Sequence, residues 1–353
     1  MRHTAKLLKI LRFQEDPMPR RSILSVAERD SLLALPATQD ELIRHYTLSE
    51  TDLSIIGQHR KAANRLGFAV QLCYMRHPGV TLEIDEEPFA PLLRMVAAQL
   101  KVTPECWAEY GQRAETRREH LLELQSNFGF QTFTTRHYRA SIQSLEELAL
   151  QTDKGIVLAS ELTDGMRRKS ILLPSPNVIE RICAEAITRA NRRIYAALTD
   201  PLSAVHRQRL DELLKRREGS KGTWLAWLRQ SPAKPNSRHM LEHIERLNAW
   251  QALDLPTGIE RLVHQNRLLK IAREGGQMTP ADLAKFEAQR RYATLVRSPS
   301  RAWPPSPTKS STCTTAYWAS CLTPPRTSIS SSSRHRAKPS TPRCACTGAS
   351  ARR

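Results

Sequence analysis

From Ser25 onward, apolar positions recur at helical spacing in short segments, and the first three segments open alike. Ser25-Val-Ala-Glu28, Thr38-Gln-Asp-Glu41 and Ser49-Glu-Thr-Asp52 each set a hydroxyl at a helix start and a carboxylate three residues on. The hydroxyl can accept from a free backbone N–H, and the carboxylate can reach back while favouring the positive end of the helix dipole. The spacing predicts short helices joined by tight turns, as in helix-turn-helix units. Small helical bundles with no nucleic-acid role carry the same spacing, so the pattern leaves both readings open.

The third segment leads into Leu48–Pro78, where a basic turn from Arg60 to Arg65 precedes a helix that is apolar nearly all round. A helix of that kind is buried, so this stretch reads as core scaffold carrying an exposed basic turn. Prolines and acids interrupt the pattern between Gly79 and Pro104. Glu83, Asp85, Glu86 and Glu87 there read as a solvated loop, not a cation cage. Helical spacing resumes over Pro104–Leu124 and Thr135–Leu150, and the aromatic stretch Asn127–Phe133 is expected to pack between them.

Pro174-Ser175-Pro176 marks a boundary and a helix start with proline at its first position. In the helix predicted over Asn177–Leu198, Val178, Ile182, Ala186, Ala190, Ile194 and Ala197 form an apolar stripe, and Arg181, Arg189, Arg192 and Arg193 lie away from it. Asp200-Pro201 is expected to start a helix ending in Lys215-Arg216-Arg217 and Gly219. Trp224 and Trp227, three apart, read as core and not as a base-stacking platform. Ser231–Arg238 reads as an extended basic linker. Helices are predicted over Arg238–Ala252, Gly258–Arg273 and Thr279–Leu295, with Gly275-Gly276 ending one and Thr279-Pro280-Ala-Asp282 starting the next.

Charge adds what periodicity cannot. Lys and Arg number 54 against 35 Asp and Glu, for a net charge of +19 and a pI near 10.1. Such a surface most often meets a polyanion, chiefly nucleic acid. A membrane is the weaker candidate, because no apolar run approaches the roughly 18 residues of a spanning helix. From Ser298 on there are nine Lys or Arg and no acid, leaving +10 for residues 1–297. Cys73, Cys106 and Cys183 sit in apolar helical contexts, as small buried thiols do. Without a secretory signal or disulfide framework, the expected location is the reducing cytoplasm, at the nucleoid.

Both ends of the chain differ from the body. Residues 1–17 join poorly to Met18-Pro-Arg-Arg21, which looks like the natural start, so they are expected to be a non-native or disordered extension. The segment from Ser298 is Ser, Pro, Thr, Cys and Arg without period. It reads either as a disordered basic arm or as a frameshifted tail. If the stretch from Thr327 is encoded by common G+C-rich codons, taking each third base with the next two would give KHQQQFQASGKAI, which favours the frameshift.

Chemical motifs are few. His239-Met-Leu-Glu242-His243 spells H-x-x-E-H, which can carry zinc on one helix face, but five-residue matches are common and a charged helix surface accounts for it. No phosphate-cradling loop, nucleophile elbow or Cys–His pair stands out. No metal, cofactor or catalytic residue is assigned.

Longer motifs carry a family resemblance. MPRRSILSVAERDSLLALP, HRKAANRLGFAVQLC, RANRRIYAAL, WLRQSPAKPNSRHMLEHIERL and LVHQNRLLKIAREGGQMTPADLAKFEAQRRYATL resemble the N-terminal part of the transposases of the Tn-three family, the class-two replicative transposons. The resemblance is closest to the branch carried by mercury-resistance elements. It covers Met18–Val296, and the shifted tail resembles the family's continuation. It implies an all-helical region that binds the transposon's terminal inverted repeats through more than one DNA-binding domain. It also implies that strand chemistry belongs to a ribonuclease-H-like domain, with three acids and magnesium, nearer the family's C-terminus and absent from this chain. By that reading the chain itself is not an enzyme.

The expected fold is therefore mainly α and multi-domain, with helix-turn-helix-like DNA-binding bundles and a disordered C-terminal tail. The domains would be a first DNA-binding domain over 18–155, a second over 156–230, a helical linker over 231–297 and the tail over 298–353. Expected partners are double-stranded DNA at inverted-repeat ends and a further copy or full-length transposase, with no membrane. Expected phosphate contacts are Arg60, Lys61, Arg65, Arg167, Arg168, Arg189, Arg192, Arg193, Lys215, Arg217, Lys221 and Lys234. Asn64 and Asn191 are candidate base readers, since an amide can pair bidentately with adenine. The alternatives are a helical interaction module whose basic faces meet acidic proteins, and a decayed gene product.

Overall fold

The computed structural model describes residues 22–36, 38–83, 86–110, 114–230 and 237–297. Among them the fold is helical, without extended strands. The two ends, residues 1–21 and 298–353, to which the extension and tail readings apply, lie outside the described residues.

All three capping boxes form. Ser25, Thr38 and Ser49 accept from the N–H of Glu28, Glu41 and Asp52, whose carboxylates accept in return from the cap N–H. They start α1 (Val26–Leu32), α2 (Gln39–Tyr46) and α3 (Glu50–Gly57). The next helix, α4 (Ala62–Arg76), is enclosed as its composition requires, with every residue from Leu66 to Met75 buried. Around it pack α2, α3, α5 (Ala90–Leu100), a 3-10 turn over Pro104–Glu109 and α6 (Ala114–Phe128), forming a first core that includes Tyr46, Ile56, Phe68, Leu92 and Leu124. Burying side chains of this size stabilises by about 1.5–3 kcal/mol each. Tyr110 lies so close over the backbone of Gly67 that a methyl group there would fall inside its ring. Only glycine admits that approach.

An ion pair with its carboxylate buried and its guanidinium partly exposed ties α3 to α4. Asp52, 2% exposed, accepts two hydrogen bonds from the Arg76 guanidinium, at 2.7 and 2.8 Å. Burial alone would raise the Asp52 pKa, but the bonds from Arg76 and from the Ser49 N–H outweigh it and hold the carboxyl below its usual range.

The second core joins α1 to α7 (Thr135–Gln151), α8 (Gly155–Arg168) and the first half of α9 (Pro176–Thr199), through Leu24, Ile142, Leu145, Leu158, Leu162, Ile179 and Ile182. It runs continuously across residue 155, where the sequence places a domain boundary. The aromatic stretch is divided: Phe128 and Phe130 pack on the first core and Phe133 on the second. Cys73 and Cys183 are buried free thiols, each pushed up to about 12 by burial, and Cys106 is half-buried.

The third core takes the second half of α9 with α10 (Ala204–Glu212), α11 (Trp224–Leu228), a 3-10 turn over Ile259–Leu262, α13 (Gln265–Gln277), α14 (Pro280–Ala284) and α15 (Ala288–Arg297). Trp224 and Trp227 pack against it, as their spacing indicates. Between α11 and α13 lies α12 (Ser237–Gln251). Its residues up to Glu245 belong to a second compact unit, in which His239 Nδ1 lies 3.4 Å from Glu242 and Arg238 Nε 3.7 Å from the same carboxylate.

Several boundaries differ from the sequence reading. Pro104–Leu124 is a 3-10 turn and a separate helix. The cap at residue 200 is instead Ser203, which accepts from the His206 N–H, and α10 stops at Glu212, just short of the basic run that starts at Lys215. Gly275 and Gly276 continue α13 because Arg229 supplies donors to its last turn, reaching the carbonyls of Gly275 and Met278 at 2.5 and 2.7 Å. The predicted helix Thr279–Leu295 is broken between α14 and α15, where Phe286 packs on the third core with the Arg290 guanidinium 3.9 Å above its ring.

Candidate nucleic-acid interface

The basic residues divide by what their side chains already hold. In the turn before α4, Arg60 and Lys61 are exposed and have no side-chain partner among the described residues. Lys61 occupies the N-cap position with no side-chain cap. A cation beside the positive end of a helix is unfavourable on its own and becomes favourable when an anion arrives. Asn64 and Arg65 are half-buried, and Arg65 Nε is buried without a hydrogen-bond partner.

Arg167 behaves differently from its neighbours. Its Nε donates to the Pro78 carbonyl at 2.8 Å, and its Nη atoms reach Asp164 and the Leu32 carbonyl, both at 2.9 Å. It thus staples α8 to the exits of α4 and α1, and its donors face inward, away from any phosphate. Arg168 points the other way, to a groove of about 680 Å³ between α7 and the end of α8. Arg136, His137, Ser141, Gly165 and Lys169 also line this groove, and Glu161, paired with Arg168 at 2.8 Å, is the acid on its wall. Arg136 and Lys169 were not singled out from sequence. Lys169 was legible in the run Arg167-Arg168-Lys169, whereas Arg136 needs the packing of α7 on α8 to become part of a basic surface.

The arginines of α9 are mostly engaged. Arg189 pairs with Glu185 one turn earlier at 2.7 Å, and Arg193 bridges Glu146 and Glu147 of α7, both at 2.9 Å. Asn191 accepts from Arg267 of α13, a side chain only 4% exposed that also pairs with Asp153 at 3.3 Å. The Asn191 carbonyl oxygen, one half of the bidentate pair a base reader needs, thus serves a buried guanidinium in this fold. Only Arg192, exposed and without a partner among the described residues, keeps its full charge toward solvent. The long helix α9 is a girder between two cores, and Arg193 fastens it to α7 while Arg189 is held within the helix itself.

The basic run after α10 folds back on itself. Arg216 and Thr223 form an antiparallel bridge, the Arg217 N–H donates to the Gly222 carbonyl at 3.0 Å, and the Trp224 N–H to the Lys215 carbonyl at 3.2 Å. Gly219 takes the left-handed conformation the turn requires, at φ +70°. Lys215, Arg216 and Lys221 are exposed without side-chain partners among the described residues, while the Arg217 guanidinium lies 4.3 Å over Trp227 and 5.3 Å over Trp224. Arg216 belongs with these residues, although only the basic run itself marked it. Lys234 lies outside the described residues.

No helix among the described residues is long and apolar enough to cross a membrane. Residues 23–186 match a family model described as a domain of unknown function, DUF4158, a span close to that of the first two cores. The transposase for transposon Tn3926 of Escherichia coli is 77% identical over 279 residues, which is 79% of this chain and 28% of that protein. The transposases for transposon Tn21 of Escherichia coli and transposon Tn501 of Pseudomonas aeruginosa are 75% and 58% identical over the same length, again 79% of this chain and 28% of each. The chain therefore spans little more than a quarter of the length of the curated relatives it matches.

Proposed function

Because the chain belongs to the Tn-three family of transposases, matching the N-terminal part of its members, we propose that it binds double-stranded DNA at a transposon's terminal inverted repeats. The observation that carries this reading is the identity of 77% with a transposase over 279 residues, in a chain whose net charge is +19. Transposition requires recognition of the element's ends, and a basic helical region is physically suited to it. Phosphates would be held by exposed side chains that the fold leaves without partners: Arg60 and Lys61 at the start of α4, Arg192 on α9, and Lys215 and Lys221 beyond α10. Arg168, with Arg136 and Lys169, would add the wall of the α7–α8 groove, and Asn64 remains the candidate base reader. Strand cleavage and transfer would belong to the part of the relatives outside the matched segment, so this chain is proposed as an end-binding module without catalysis of its own. Its place would be at the nucleoid, and a full-length transposase or a second copy would be its protein partner.

A gel-shift titration of the chain against the inverted-repeat duplex of Tn3926 or Tn21 and a scrambled duplex of equal length tests the reading. Specific binding would show as a ratio of at least about 10³ between the two at physiological salt. Equal weak binding to both would overturn end recognition.

A further inference from the structure

We propose that the turn from Lys215 to Thr223 is a rigid basic finger that contacts the phosphate backbone of duplex DNA directly. This rests on the reading of the chain as a DNA-binding module and names the element that would make contact. Its base is anchored on both sides. Leu213 and Leu225 are buried in the third core, and the Leu225 N–H donates to the Leu213 carbonyl at 2.8 Å. Above them the rungs at Lys215–Trp224 and Arg217–Gly222 hold the two limbs together. Arg217, set over the edge-to-face pair Trp224 and Trp227, braces the middle of the finger from inside. The tip is free: a side chain added at Gly219 would meet nothing within 4 Å.

Charge is what sets this element apart. Lys215–Lys221 reads KRREGSK, four cations and one acid in seven residues. On α9 carboxylates answer two of the exposed arginines, Glu185 answering Arg189 and Glu146 with Glu147 answering Arg193. Here Lys215, Arg216 and Lys221 face solvent with no such answer among the described residues. Like charges fixed on a short turn repel, and the core offers no return for holding them there, whereas a polyphosphate does.

The test compares the full chain with its Lys215→Ala/Arg216→Ala/Lys221→Ala variant and with Glu218→Lys, by fluorescence anisotropy on the repeat and scrambled duplexes from 50 to 300 mM salt. Arg217 is left in place because it braces the finger from inside. The triple variant should keep the wild-type circular dichroism melt, bind about tenfold or more weaker at 150 mM salt, and lower the slope of log K against log salt by about 2–3. Glu218→Lys should steepen that slope by about 1, and it keeps the inference open to refutation if the triple variant fails to fold. Unchanged affinity and slope in a folded triple variant would overturn the finger, as would Glu218→Lys without effect. A wild-type chain that binds both duplexes equally would sink end recognition while leaving the finger to be judged on its slopes. One that binds neither would sink both.

Discussion

His120 should make this protein acid-labile well above the pH at which carboxylates protonate. Its ring is 5% exposed, with Nδ1 3.2 Å from the Tyr110 hydroxyl and the ring 4.6 Å from His59 and 5.4 Å from Phe68. Burial first, and the neighbouring His59 second, push its pKa down to about 4. In the unfolded chain it returns to about 6.5. Between those values the unfolded state binds the proton and the folded state does not, so stability must fall as pH drops from 6.5 toward 4 and is retained above 6.5. One pKa unit is worth about 1.36 kcal/mol. Moving from pH 7.5 to 5.0 crosses about 1.5 of the 2.5 units, for at most about 2 kcal/mol, because the fold can relax around the protonated ring. His120→Gln keeps a hydrogen-bond acceptor and cannot titrate. Urea unfolding of both proteins at pH 7.5 and 5.0, followed by circular dichroism, isolates the difference, since every other titrating group is shared. The wild type should lose about 1–2 kcal/mol more than the variant over that interval. Equal losses would show that His120 is not held neutral in the fold, and the packing assigned to it would be wrong.

Other perturbations separate scaffold from surface. Gly67→Ala forces Tyr110 off the backbone of α4 and should cost about 1–3 kcal/mol, measured as a lower urea midpoint. Asp52→Asn leaves Arg76 without its charged partner and should destabilise by about 2–4 kcal/mol at pH 7, with a loss that shrinks below the usual carboxylate range, because the wild-type advantage disappears as Asp52 protonates. Ser49→Ala removes a cap and should lower stability by about 1 kcal/mol in the same assay. On α9, Arg192→Ala should reduce the salt slope of DNA binding by about 1, while Arg193→Ala, which loses Glu146 and Glu147, should barely move the urea midpoint and leave the slope nearly unchanged.

The contrast between Arg192 and Arg193 shows which part of the molecule sequence can reveal. Helix starts were legible because a capping box is a local contract, satisfied within three residues by groups the sequence names. The burial of α4 was legible for a related reason, since a helix without a polar face has nowhere to go but inside. Tertiary capping was not legible. Gly275-Gly276 looks like a helix end until Arg229, 46 residues before Gly275, donates to the carbonyls of Gly275 and Met278. The candidate contacts suffered most from the same blindness. A run of arginines on one helix face reads as a surface for phosphate, yet whether each charge is available depends on acids that only folding brings near. Glu147 lies 46 residues before Arg193, and no periodicity links them. The Leu32 and Pro78 carbonyls that hold Arg167 are 135 and 89 residues from it. What survives as the proposed interface is set by subtraction: the basic side chains for which the fold found no partner among the described residues. By that criterion the emphasis moves from the long helix α9 to the turn before α4 and the finger after α10, where charge density is high and internal compensation is least.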